Sequence, residues 1–191
     1  MSSTRLVLAS KSPRRSKLLR EYGAAFEVLT PEVAEVHWDD RPVDTVRENA
    51  RRKVDWCRAR TTDAAVIAAD TVVVFDGRTI GKPRDLDEAR AFLMAFSGRH
   101  QLVHTGVALA LPGVEAEVHV ATSDVIFRRL DHDTITRYFE QVDPLDKAGG
   151  YDIDQYGHLF IHRHEGSWSN IMGLPMEVVT PWLARYGLGG A

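Results

Sequence analysis

The run AAVIAADTVVVF, from Ala64 to Phe75, constrains this chain more than any other stretch. It is apolar and rich in β-branched residues except at Asp70 and Thr71, and it reads as β-structure, with Asp76-Gly77 as a hairpin turn leading into Arg-Thr-Ile. An aspartate inside such a run is costly to bury as an anion unless it is paired, bound to metal, or exposed in a cleft. The fold therefore has to provide for Asp70. Two readings are open: Asp70-Thr71 forms an Asx-type turn where one strand breaks from the next, or Asp70 is a functional carboxylate.

Other segments alternate around this run. Arg5–Ser10 reads as a short buried strand, followed by a helix that Pro13 starts and whose apolar side includes Leu18 and Leu19. Phe26–Leu29 is a second short strand. From Val43 to Arg60, Val46, Ala50, Val54 and Cys57 recur at helical spacing with charges opposite, which predicts an amphipathic helix. A helix begins near Asp85 and stops before Gly98. His100–Leu111 and Ala116–Phe127 read as long strands that pair across Pro112-Gly113, and later helices cover Asp131–Gln141 and Pro175–Gly187. Alternation over the whole length predicts one α/β domain, 1–191, with a mixed sheet and flanking helices.

Composition narrows the function. At 191 residues and a net charge of -3, the chain is mildly acidic, which argues against a broad nucleic-acid-binding face and points to small-molecule partners. No apolar run approaches the roughly 20 residues of a membrane span, and no signal-peptide pattern stands at the start, so a soluble cytoplasmic protein without a membrane partner is expected. Cys57 is the only cysteine, which excludes an intrachain disulfide and a thiolate cluster.

Besides Asp70, three features resist a purely structural reading. Ser10, Lys11, Ser12, Arg14 and Arg15 gather hydroxyls and cations around a helix N-terminus, a set suited to polyphosphate; alternatively Ser12 caps the helix and the cations are solvated. Lys82, in a Gly-Lys-Pro turn, could aim its ammonium at the cleft holding Asp70, or could simply be exposed. Asp143–Gly157 is rich in Gly and Asp around Tyr151, suiting close approach of backbone to a ligand, or mere solvation. The alternation of His158, His162 and His164 fits a strand face better than a zinc site.

Together these stretches resemble the Maf family of nucleoside triphosphate pyrophosphatases. The motifs "LASKSPRR", "ENARRK", "AADTVVV", "GKPRD", "FSGRHQLVHTGVAL", "DKAGGYDI" and "MGLP" occur in order from Leu6 to about Pro175. The resemblance implies two lobes around a deep cleft, often a homodimer, and hydrolysis of a nucleoside triphosphate to monophosphate and pyrophosphate with Mg²⁺ or Mn²⁺.

Residue by residue, the resemblance implies substrate binding by Ser10, Arg14, Arg15 and Lys53, metal binding or water orientation by Glu35 and Asp70, and catalytic roles for Asp70 as proton acceptor and Lys82 as a phosphate cation. Arg14, Thr71 and Asp154 fall at the positions associated with base choice. The first two match the dTTP/UTP subclass, whereas Asp154 stands where that subclass usually has Gln. A bare carboxylate only accepts hydrogen bonds, and guanine offers two adjacent donors, so Asp154 alone predicts activity on a guanine-type triphosphate, 7-methyl-GTP included, beside dTTP and UTP, unless neighbouring Gln155 reaches in and reads the base instead. The alternative of another class is a non-catalytic nucleotide-binding regulator of cell division.

Overall fold

Two long strands run through the middle of the protein, and everything else is arranged on their faces. The computed structural model describes residues 4–189. The chain opens with β1 (Arg5–Ala9), α1 (Pro13–Glu21), β2 (Glu27–Val28) and α2 (Pro42–Arg58). It continues through β3 (Ala64–Phe75), β4 (Arg78–Ile80), α3 (Leu86–Phe96), β5 (His100–Ala110) and β6 (Glu117–Phe127). It ends with α4 (His132–Phe139), β7 (Ile161–Glu165), α5 (Trp168–Ile171) and α6 (Met176–Arg185). The seven strands among the described residues form one mixed sheet in the order β2-β1-β3-β5-β6-β7, with β4 pairing to β3 off that path. β1 is parallel to β2 and β3, and the β3-β5-β6-β7 pairings are antiparallel.

β3 is continuous through Asp70 and Thr71, so the Asx-turn reading does not hold; the chain breaks direction only after Phe75. There Asp76 and Gly77 have φ of 50° and 74°, the left-handed pair that a two-residue hairpin needs, as expected. Asp85 caps α3 by accepting from the Glu88 N–H, whereas Ser12 precedes α1 without a side-chain cap. His162 and His164 lie on exposed β7 as their alternation predicts, but His158 sits in the 3₁₀ turn Gly157–Leu159.

Alternation along β3 sends successive side chains to opposite faces. One face packs Ala64, Val66 and Ala68 against Ala50, Val54 and Cys57 of α2. On the other, Ile67 and Ala69 join Leu19 and Trp182, while Val73 joins Leu93, Phe96, Phe127 and Tyr151 in a separate aromatic cluster. These two clusters are the lobes. Thr71 lies between them.

The sheet is notched where the lobes meet. β1 stops pairing with β3 at Ala9–Ala68, and β4 begins only at Val73–Ile80. Among the described residues, no strand pairs with that edge of β3 from Asp70 to Val72. The chain turns away directly after β1, with the Ser10 N–H donating back to the Leu8 carbonyl at 3.0 Å, and Pro13 then suits the first turn of α1.

Directly across from Asp70 in β5 stands Gly106. A Cβ there would lie 2.3 Å from the Val46 carbonyl oxygen, so glycine is what lets α2 sit close to the sheet. The clashing atom is backbone and cannot rotate away. Gly106→Ala should therefore push α2 outward and destabilise the protein by about 1–3 kcal/mol, read as a lower urea midpoint; an unchanged midpoint would show that α2 tolerates the shift.

Candidate active site

The notch opens into a cleft of about 790 Å³ bounded by the β1–α1 turn, the start of α1 and the segment 146–155. Every sequence-predicted site residue lines it except Asp70. Thr71 points to the α1 face and Asp70 to the α2 face, where Lys53 and Glu35 line the cleft and Asp70 is covered by Lys53 and Asn49. Asp70 is 8% exposed.

On its face Asp70 is held by two residues one helical turn apart on α2. Lys53 Nζ donates to Asp70 Oδ1 at 2.6 Å, and Asn49 Nδ2 donates to Oδ2 at 3.0 Å. The pairing that an aspartate in an apolar strand requires is thus supplied. Lys53 Nζ also forms an ion pair with Glu35 Oε1 at 2.6 Å, so one ammonium bridges a buried and a half-exposed carboxylate. Partial burial pushes the Glu35 carboxyl up, but the contact with Lys53, helped by the charges of His37 and Arg15, outweighs it and holds Glu35 below its ordinary value. Asn49 further fixes the Glu35 segment, accepting from the Val36 N–H at 2.8 Å and donating to the Val36 carbonyl at 3.0 Å.

On the cleft face, Arg15 is aimed by three contacts. Its Nε donates to the Gly173 carbonyl at 2.7 Å, Nη1 to Ser10 Oγ at 3.1 Å, and Nη2 to Thr71 Oγ1 at 3.1 Å. Thr71 is itself within 3.0 Å of Thr105 Oγ1, which donates to the Asn170 carbonyl at 3.0 Å. The guanidinium is anchored to the sheet and to the turn after α5. Burial pulls its pKa down to about 10, so it remains a cation at neutral pH. Gly173 has φ of 96°, and a Cβ there would press on Thr71 Oγ1 at 3.1 Å and Arg15 Nε at 3.3 Å. Close approach of Arg15 thus requires this glycine.

The segment 146–155 closes the opposite side. Arg14 Nη1 meets Asp152 Oδ2 at 3.0 Å, and Lys17 Nζ meets Asp154 Oδ1 and Oδ2 at 3.0 and 2.9 Å. Arg14 and Lys17 lie one turn apart on α1, which places both pairs along one seam. The Gly149 N–H donates to the Gly81 carbonyl at 2.9 Å, tying the segment to the turn that carries Lys82. Lys82 and Lys11 are exposed cations in the cleft, without an ion pair among the described residues.

Cys57 lies in the α2 core, its thiol pushed up to about 11 by burial, and is no nucleophile at neutral pH. Among the described residues, no three His, Cys, Asp or Glu gather as a metal cluster.

Reading the sequence missed Asn49, Lys17, Asp152, Thr105 and the role of Gly173. Asn49 alone left a signal: a polar residue among Val46, Ala50 and Val54 on the apolar side of a helix, spaced i, i+4 from Lys53. The others act through partners distant in the chain.

With this geometry in view, comparison with known proteins is consistent. The model of the Maf-like protein family matches residues 5–186. A dTTP/UTP pyrophosphatase of Thermotoga maritima is 39% identical over 185 residues, 96% of this chain and 90% of that protein. One from Carboxydothermus hydrogenoformans is 38% identical over 184 residues, 96% and 99% of the two chains. A nucleoside triphosphate pyrophosphatase of Xylella fastidiosa is 41% identical over 185 residues, 95% and 98%. The solved Ham1 protein of Staphylococcus aureus shares the fold at a TM-score of 0.54 and 13% identity, covering 95% of this chain and 99% of that one. A match spanning nearly all the described residues, together with relatives of this identity over nine-tenths or more of their length, makes the chain a member of the Maf-like protein family.

Proposed function

We propose that the cleft hydrolyses a nucleoside triphosphate to the monophosphate and pyrophosphate, with dTTP and UTP as its preferred substrates. The names of its relatives support this reading. The observation that carries it is the set of cations in the cleft without a carboxylate partner among the described residues, Lys11, Arg15 and Lys82, beside a carboxylate pair bridged by Lys53. A triphosphate satisfies such a surplus of positive charge.

In this reading, Ser10, Arg15 and Lys82 bind the phosphates and stabilise the charge that develops on the leaving pyrophosphate. Lys53 turns its ammonium from Asp70 to the denser negative charge of the incoming phosphates. That frees Asp70 Oδ1 to take a proton from the attacking water. Water oxygen bonds to the α-phosphorus, the bond from the α-phosphorus to the bridging oxygen breaks, and pyrophosphate departs with the electron pair. Glu35 and Asp70 also fit Mg²⁺ or Mn²⁺ in donor chemistry, since their hard oxygens already converge on one cationic point, Lys53 Nζ. When bound, such an ion would polarise the phosphate oxygens. The resemblance further implies a homodimer, and sedimentation of the purified chain tests it. No described helix is long and apolar enough to cross a membrane.

Pyrophosphate release from a panel of nucleoside triphosphates, with Mg²⁺ or Mn²⁺, tests the activity; nucleotide binding without release would favour a regulator. Lys82→Ala sharpens the assay. Because Lys82 is exposed and unpaired, its loss should leave the melting temperature unchanged yet lower kcat/KM about a hundredfold, equally for UTP and GTP. A changed UTP-to-GTP ratio would take Lys82 off the phosphates.

A further inference from the structure

The charges of the cleft fall into two groups. Lys11, Arg15 and Lys82 lack carboxylate partners among the described residues. Along the seam of α1 and segment 146–155, by contrast, the cations are neutralised: Arg14 by Asp152 at 3.0 Å and Lys17 by Asp154 at 2.9 Å. Triphosphate belongs with the first group. The second offers no net charge, a row of hydrogen-bonding atoms, and the apolar sides of Ile153 and Met172 nearby, which suit a neutral, planar, polar base.

Within that seam, the position of Lys17 matters. Its Nζ contacts both oxygens of Asp154, so it sits on the fork of the carboxylate. Two parallel acceptors on such a fork are what the adjacent N1–H and amino donors of guanine would take. With the fork filled, only the outer lone pairs of Asp154 remain, each able to accept one donor. The Lys17 ammonium has three N–H groups and spends two on Asp154, leaving one to donate outward. The pair therefore shows one acceptor beside one donor. The imide edge of uracil and thymine shows the complement, N3–H beside a carbonyl.

We propose that Lys17 is a specificity-determining residue: by occupying the carboxylate fork of Asp154 it denies guanine its paired acceptors and supplies the donor that a pyrimidine carbonyl needs. This reverses what Asp154 predicts as a bare carboxylate. It rests on the reading of the cleft as a nucleoside triphosphate site, but it concerns base recognition, which can be measured without turnover.

The test uses calorimetric binding of UMP and GMP, together with kcat/KM for UTP and GTP, in the wild type, Lys17→Met, Asp154→Gln and the double variant. Wild type should favour UMP. Lys17→Met opens the fork and removes the donor, so the UMP-to-GMP ratio should fall about tenfold, with GMP binding tighter in absolute terms. A glutamine amide carries both donor and acceptor, so Asp154→Gln should keep the uracil preference without needing Lys17, and adding it to Lys17→Met should restore the lost ratio. Lys17→Arg, which retains a donor, should stay within about threefold of wild type. Equal losses for UMP and GMP in Lys17→Met would reduce Lys17 to a general electrostatic role and overturn the proposal, as would a ratio unchanged within about twofold. If no pyrophosphate is released but the binding ratios shift as stated, hydrolysis fails and base selection by Lys17 stands. If neither monophosphate binds to the wild type, both fail.

Discussion

Asp70→Asn should lower kcat for pyrophosphate release by about 100- to 10,000-fold, the usual cost of losing a general base. The substitution preserves shape, and the cleft cations proposed to hold the phosphates remain, so nucleotide binding should survive. Stability should fall modestly. Asp70 accepts from two donors, Lys53 Nζ and Asn49 Nδ2. An asparagine has one acceptor oxygen, so one of these donors must face an amide NH₂, at a cost of about 1–3 kcal/mol. Single-turnover kinetics and a denaturation curve on the same preparation separate the effects. Near-normal kcat in folded Asp70→Asn would move the base assignment to Glu35, the other carboxylate touching Lys53.

Lys53→Met has the second large effect, because one ammonium holds two acids. The Lys53–Asp70 ion pair is buried, with side chains 10% and 11% exposed. Removing its cation leaves Asp70 with Asn49 alone and should destabilise the protein by about 3 kcal/mol. Glu35 is 41% exposed, so its share of that loss is screened by solvent. The activity should drop about 100- to 1,000-fold, since the variant lacks a cation for the developing negative charge. Acid gives a signed check. Glu35 is held below its ordinary value in the folded state, so its pairing contributes stability above the unfolded carboxylate range, about pH 4.5, and that contribution is lost as pH falls through the lower folded value. In Lys53→Met this contribution is already gone, and the melting temperatures of variant and wild type should draw together on acidification. A constant gap from pH 7 to 3 would show that Lys53 supports the fold by packing rather than by charge.

Legibility of the molecule followed the range of the interactions involved. Val46, Ala50, Val54 and Cys57 are all buried on α2, as helical spacing predicts, and Asp76-Gly77 turns the hairpin. Shorter elements were harder to see. Phe26–Leu29 pairs only at Glu27–Val28, and the four-residue α5 was not anticipated, because two to four residues carry too little periodicity to stand out. Of the site residues read through the resemblance, all but Asp70 line one cleft, while Lys17 and Asp152 were overlooked: their partners lie 137 and 138 residues away, and no local pattern records such a pairing.

By itself, the sequence determined the longer elements, their alternation into a mixed α/β sheet, and the demand that Asp70 be paired, metal-bound or exposed in a cleft, since each of these follows from local periodicity or from the cost of burying a charge. That Asp70 and Thr71 face opposite ways came with the structure, because only there does one strand run unbroken through both. Only the tertiary structure decided which faces those are. α2, brought close by Gly106, turned Asp70 toward Lys53 and Asn49; the early end of β1 opened the notch where both faces meet; and the docking of segment 146–155 on α1 set Lys17 on the fork of Asp154. These outcomes depend on which distant surfaces pack together, a choice governed by the whole core rather than by any short stretch of chain.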